Sequence, residues 1–274
     1  MAEPQASECI PIATLREARK WTAYPRHAGN DRHIVVNKCG LTLSDFFRIQ
    51  RGIATGDNKF FVLSRTDAIQ RGFPDNCLRS ILPSPRHLKV TAIHADDDGY
   101  PLIDRPLCVI DSDLPEPIVR QRYPKLWAYL TTAEALGVTN GYLVGKRRPW
   151  YKQEQREPAP FLCTYMGRGA QDKRPFRFIY NRSRAIASNL YLMLYPIGAL
   201  AVLLREQPDF GAKVHQLLSR VTGRELRGVG RIYGGGLNKI EPSELGRISA
   251  AAFVERWPEL AKNVRKAQTE SLFE

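Results

Sequence analysis

Short runs of apolar, aromatic and β-branched residues bounded by turn formers dominate the hydrophobic pattern of this chain. Runs at 32–36, 59–63, 88–93, 107–110, 161–165, 176–180 and 190–194 predict strands, because a brief apolar segment between turn residues suits a pleated ribbon. Elsewhere the period lengthens. Over 116–136, Ile118, Arg122, Leu126, Tyr129, Leu130 and Leu136 recur at mostly helical spacing between Pro115, Pro117 and Gly137, and predict a helix interrupted at Pro124. Stretches 198–205 and 210–221 form a second helical region split by Pro208, and 250–266 a third, kinked near Pro258.

Strands and helices are intermixed without the strict alternation that a doubly wound sheet requires. The expected class is α+β: a mixed β lobe fed by both halves of the chain, a helix inserted at 116–136, and a helical cluster toward the carboxy terminus. No Rossmann-like cofactor domain is expected. The pattern divides the chain into an extension or linker at 1–30, a main domain at 31–248 and a helical tail at 249–274.

The 274 residues are 43% hydrophobic and 25% charged, which excludes a disordered or collagen-like chain and supports a sizeable core without metal or disulfide staples. The longest apolar run, 197–204, is too short to span a bilayer. No basic-then-apolar leader opens the sequence, and Cys9, Cys39, Cys77, Cys108 and Cys163 stand singly, so a cytoplasmic protein with reduced thiols is expected.

Charge narrows the partner. Lys plus Arg number 41 against 28 acids, for a net +13, and such an excess favours an anionic partner, nucleic acid before a membrane surface. The excess is concentrated at 140–184, where Lys146, Arg147, Arg148, Lys152, Arg156, Arg168, Lys173, Arg174, Arg177, Arg182 and Arg184 face only Glu154, Glu157 and Asp172. Tyr142, Trp150, Tyr151, Tyr165, Phe176, Phe178 and Tyr180 are interleaved with these bases, a mixture suited to phosphate contact and stacking, though also to a solvated basic face over ordinary core aromatics. The stretch 93–117 is its opposite, with Asp96, Asp97, Asp98, Asp104, Asp111, Asp113 and Glu116 against Arg105 alone, and is expected to face away from DNA. Asp96-Asp97-Asp98-Gly99 lacks the alternating ligands and closing Glu of a calcium loop and predicts a turn at a hairpin tip.

Catalytic signatures are missing. There is no Gly-x-Gly-x-x-Gly or Walker sequence for a cofactor or nucleotide, no Gly-x-Ser-x-Gly elbow, and His27, His33, His87, His94 and His215 lie far apart. Asp75 is followed by no acid-x-Lys of a magnesium nuclease. The residues read as a binding module, with no catalytic or metal-ligating residue assigned.

Three segments carry a family resemblance. Residues 51–62, Arg-Gly-Ile-Ala-Thr-Gly-Asp-Asn-Lys-Phe-Phe-Val, come first; Tyr-Pro-Lys-Leu-Trp-Ala-Tyr-Leu at 123–130 follows, ahead of Lys-Arg-Arg-Pro-Trp-Tyr at 146–151; Tyr-Gly-Gly-Gly-Leu-Asn-Lys-Ile-Glu-Pro-Ser-Glu-Leu at 233–245 is last and most specific. In this order they resemble the carboxy-terminal target-recognition domain of TaqI-like adenine-specific DNA methyltransferases and of the fused type II restriction-modification enzymes that share it. The resemblance covers about residues 40 to 248. The Asn-Pro-Pro-Tyr-type catalytic motif and the cofactor-binding half of that family have no counterpart here.

The resemblance implies a target-recognition-like fold that reads double-stranded DNA, as a separate specificity subunit or as part of a longer enzyme. It implies no cofactor bound by this chain, S-adenosylmethionine in a partner catalytic domain or subunit, and no membrane. The DNA-contacting residues expected from these segments are Thr55, Asn58 and Lys59; Lys146, Arg147, Arg148, Trp150 and Tyr151; and Tyr233, Asn238 and Lys239, with Arg174 added from the basic stretch. Two other readings stay open at this level: a restriction endonuclease subunit with a cryptic metal site, and an RNA-binding protein that stacks single-stranded bases.

Overall fold

The computed structural model of the protein describes residues 11–17, 40–168, 175–233 and 236–270. Its centre is a five-stranded sheet built from β1 (Phe47–Arg51), β4 (Ala92–Ile93), β6 (Phe161–Thr164), β8 (Phe178–Asn181) and β9 (Tyr191–Pro196), in the order β1-β9-β6-β8-β4. The pairs are antiparallel except the short parallel contact of β4 with β8.

The side-chain alternation of a strand explains why these segments read as unbroken apolar runs: both faces of the sheet are covered. Phe161 and Cys163, Phe178, and Leu192 and Leu194 point into one core with Phe47, whereas Leu162, Ile179, Tyr191 and Met193 point into another with Leu82, Leu88 and Ile93. The first core is closed by helices Gly198–Glu206, Phe210–Leu218, Ala251–Arg256 and Pro258–Glu270. Phe253 packs on Phe46 and edge-on to Phe47, and Leu260, Ala261 and Val264 join the same cluster. The segment read from sequence as a helical tail thus shares the main core.

A second lobe forms around β2 (Val62–Ser64), β3 (Leu78–Ile81) and β5 (Leu107–Ile110), an antiparallel sheet ordered β2-β5-β3. Its core is shared with the inserted helical region, which divides into Glu116–Arg122, Pro124–Leu130 and Thr132–Ala135. Pro124 opens the second of these pieces because a proline fits the first helical turn but not a helix interior. Bridges from Ile53 to Ser188 and from Ile81 to Ile186 stitch this lobe to the central sheet. A third, small antiparallel sheet joins β7 (Met166–Arg168), β10 (Arg231–Tyr233) and β11 (Leu237–Lys239), with β11 in the middle.

The molecule is α+β, as the pattern predicts. The strand expected at 107–110 is present with those bounds, while that at 32–36 lies outside the described residues. The strand expected at 59–63 is mostly a helical turn, Asn58–Phe61. The Asp57 carboxylate accepts the backbone N–H groups of Lys59 and Phe60 at 2.8 and 3.0 Å, and this cap overrides the β-like composition of the segment. Of the strand expected at 88–93, only 92–93 pairs. The Asp96 segment forms the expected turn, closed by the Asp96 N–H on the Tyr100 carbonyl, and the Arg65 guanidinium binds the carboxylates of Asp96 and Asp98.

Candidate nucleic-acid interface

The loop at 52–58 is fixed by close backbone approach. A Cβ on Gly52 would lie 2.3 Å from the carbonyl oxygens of Ala187 and Ser188, so only glycine lets this segment lie against the 187–188 backbone. Gly56 has φ +90°, and a Cβ there would meet Val144 Cγ2 at 2.8 Å. The loop tip therefore rests directly on the one-turn helix Tyr142–Gly145 that precedes the basic segment.

Arg147 locks this arrangement. Its guanidinium donates to the Thr55 carbonyl at 2.7 Å, the Ala54 carbonyl at 2.5 Å and Gln153 Oε1 at 3.0 Å. Burial pushes its pKa below the ordinary value, against the raising influence of Glu154 and Asp111; an arginine is still a cation at neutral pH. The hydroxyl of Thr55, itself buried, donates to Asn58 Oδ1 at 2.6 Å. Beneath the loop, Phe60 stacks on Tyr129 with centroids 4.8 Å apart, and Trp150 packs on Phe60 and Phe61. The segments at 51–62, 123–130 and 146–151 thus belong to one packed unit.

The ending at 233–245 reaches the same unit through Tyr165. Arg51, the residue before the loop, lies over the Tyr165 ring at 4.1 Å, and Lys239 Nζ lies 5.2 Å from the same ring. The Tyr165 hydroxyl donates to Glu241 Oε1 at 2.7 Å, and Lys239 pairs with that carboxylate at 2.9 Å. Burial raises the Glu241 carboxyl, but the bonds from Lys239 and Tyr165 outweigh it and hold the group below its usual value. Lys239 is raised by its hydrogen bonds to Tyr165 and Glu241.

The expected contact residues fall into two groups. Asn58, Lys59, Lys146, Arg148 and Tyr233 are exposed, and Lys239 is half-buried. Thr55, Tyr151 and Asn238 are buried, Trp150 and Arg147 half-buried, and their bonds run inward: the Tyr151 hydroxyl donates to the Leu114 carbonyl at 2.5 Å and the Asn238 amide to the Gly236 carbonyl at 3.0 Å. These side chains hold the loops from behind. Arg174 lies outside the described residues.

Sequence reasoning placed Arg51 in the first segment and Tyr165 in the basic stretch without naming either as a contact, and it did not name Met166, Arg168 of the same stretch, or Arg231 as contacts. The register of the small sheet reveals the last three: Arg231, Lys239 and Met166 form one cross-strand row, and Tyr233, Leu237 and Arg168 the next on the same face. Arg231, with Nε 3.1 Å from Glu244 Oε1, is anchored to the helical turn that closes the segment. No periodicity in a three-residue strand signals such a row.

Among the described residues, no group of His, Cys, Asp and Glu is arranged to hold a metal, and no helix is long and apolar enough to cross a membrane.

Comparison of the sequence with known proteins places the chain in a family. Residues 19–274 match the family model of the C-terminal domain of the Type II methyltransferase M.Eco57I, and the chain belongs to that family. It is 26% identical over 244 residues to the Type II methyltransferase M.XamI of Xanthomonas campestris pv. amaranthicola, covering 87% of this chain and 40% of that protein. With the Type II methyltransferase M.AccI of Acinetobacter calcoaceticus the identity is 24% over 244 residues, covering 89% and 42%. The chain spans about two fifths of the length of these relatives. The solved Type IIL restriction-modification enzyme MmeI, in complex with DNA, is similar at a TM-score of 0.44 and 12% identity, over 76% of this chain and 25% of that one.

Proposed function

We propose that this chain is the DNA-reading part of an adenine amino-group methyltransferase of a restriction-modification system. In this reading it holds duplex DNA while another domain or chain supplies S-adenosylmethionine and the pocket for the flipped base. The observation that carries the reading is the convergence of the three family-like segments into one basic unit, the first two through Arg147 and the last through Tyr165.

Physical division of labour follows from exposure. Asn58, Lys59, Lys146, Arg148, Tyr233 and Lys239, joined by Arg168, face the duplex. Amides and cations of this kind reach base edges, while other cations bind phosphate and fix register. Thr55, Arg147, Trp150, Tyr151 and Asn238 keep the loops in a single conformation, which reduces the ordering cost of binding. The acidic stretch 93–117 lies outside the DNA path, where it does not repel phosphate.

The test is one titration series by fluorescence anisotropy with duplex DNA, single-stranded DNA and RNA of equal length. Duplex is expected to bind tightest, with affinity falling about a thousandfold between 50 and 200 mM salt if roughly six phosphates are contacted. Preference for single strands or RNA would overturn the reading.

A further inference from the structure

Loop 52–58 shares its tip with side chains that are poorly placed for a soluble surface. Tyr142 is 74% exposed and Leu143 41% exposed, although both belong to the turn that seats Gly56. The third apolar residue of that turn, Val144, is fully buried beneath Gly56, and Leu143 Cβ lies 3.6 Å from the position of a Gly56 Cβ. The turn is therefore anchored on one side and presents an aromatic and a branched aliphatic side chain on the other.

The electrostatic setting identifies what such a patch meets. No acid occurs from 135 to 153, whereas Lys146, Arg147, Arg148 and Lys152 do. Lys146 lies 4.0 Å from the Tyr142 ring centroid and donates to its hydroxyl, and Arg148 is exposed one residue beyond the loop-locking Arg147. Apolar groups with Lys146 against them and Arg148 nearby in the chain fit the base stack within a phosphate frame: the cations take the backbone while the apolar groups unstack a base step.

Resting on the reading of this chain as a duplex-binding domain, we propose that Tyr142 and Leu143 form a wedge that inserts at one base step beside the sequence held by loop 52–58. Lys146 covers the Tyr142 ring in the free protein and turns to a phosphate when the ring enters the stack. Anchoring through Val144 and Gly56 fixes the distance between the wedge and the loop, so the unstacked step falls at a constant offset from the bases that the loop contacts. Cost follows from the same geometry: unstacking is repaid only where the sequence lets the step open, and this adds selectivity without a hydrogen bond to a base.

The test uses the 274-residue chain and duplexes that it selects from a randomised pool. Permanganate, which oxidises unstacked thymines, is expected to mark one step at a fixed distance from the selected sequence. Tyr142→Ala with Leu143→Ala removes that mark and weakens binding about tenfold, while the dependence on salt changes little. Tyr142→Phe keeps both the mark and the affinity, because stacking needs the ring and not the hydroxyl. Circular dichroism and thermal unfolding check that these exposed substitutions leave the fold intact. An alanine pair with wild-type affinity and an unchanged permanganate pattern overturns the wedge, as does a pair that keeps DNA binding but no longer associates with a methyltransferase domain. A wild-type chain that binds no duplex even at low salt overturns the underlying reading and the wedge with it, whereas Arg148→Ala lowering the salt dependence upholds that reading whatever the wedge does.

Discussion

The two arms of the basic unit are held in opposite ways. Loop 52–58 is fixed by a partly buried guanidinium on neutral carbonyls, Arg147 on Ala54 and Thr55. The β11 arm is fixed by ion pairs that solvent reaches from one side, half-buried Lys239 with Glu241 beside the Tyr165 ring and exposed Arg231 with buried Glu244. Neutral acceptors do not titrate, and buried bonds are little screened. Ion pairs that solvent reaches lose strength with salt, and with acid once the carboxylate takes a proton. One arm is thus built to be constant, and the other to respond to its ionic surroundings.

The sharpest way to break this contrast is at Arg147. Arg147→Ala leaves the Ala54 and Thr55 carbonyls without their donor and is expected to cost about 3 kcal/mol in urea unfolding, with loss of duplex binding because the loop is no longer fixed. Arg147→Lys is expected to recover little, since an ammonium lacks the planar fork that reaches two carbonyls at once. Wild-type stability in the lysine variant would show that charge alone, and not the fork, holds the loop.

Tyr165 tests the junction. Tyr165→Phe keeps the ring under Arg51 and Lys239 and loses the hydroxyl's bonds to Glu241 and Lys239, so it is expected to cost about 1 kcal/mol. An unchanged melting temperature would mean that the hydroxyl contributes nothing to the join.

Acid should separate the arms. The Glu241 carboxyl lies below its ordinary value in the folded protein, so its contribution is present above the unfolded value near 4.5 and is lost as pH falls through the folded one. The β11 arm is expected to gain amide exchange below that pH while loop 52–58 stays protected, and Glu241→Gln removes the difference. Lys239 has the opposite sign: its raised value makes its contribution complete below 10.5, with loss only as pH rises through the folded value. Equal acid sensitivity in both arms would contradict the division drawn above.

The smallest effects on stability belong to the outward cations. Lys59→Ala and Arg148→Ala are each expected to shift unfolding by no more than about 0.5 kcal/mol. On duplex DNA each should lower the logarithmic salt dependence by about 1 if it meets a phosphate. An unchanged slope in either variant places that side chain off the DNA path.

How much of this was legible without coordinates depends on the range of the interaction involved. Strand Leu107–Ile110 and helix Gly198–Glu206 follow from local patterning, and so does the breakage of the inserted helix at Pro124, because proline acts within its own turn. The helical turn at Asn58–Phe61 contradicted its composition because one carboxylate, Asp57, caps it. Composition and charge order located the basic region, and resemblance to a known family marked its segments, while exposure, which no string of residues contains, separated Arg148 from Arg147 and Asn58 from Thr55.

The sequence by itself determined the α+β class, the basic character of the surface and the segments that mark the family, since each depends on composition or on neighbours a few residues apart. Tertiary structure alone decided that Arg51 and Lys239 share the ring of Tyr165, that Arg168 stands in a row with Leu237 and Tyr233, and that the helices at 251–270 close the main core. Most of those contacts join residues from several tens to more than two hundred positions apart in the chain. Their partners are chosen by sheet register and by which faces remain to be buried after local structure has formed, and neither is written in any short window of the sequence.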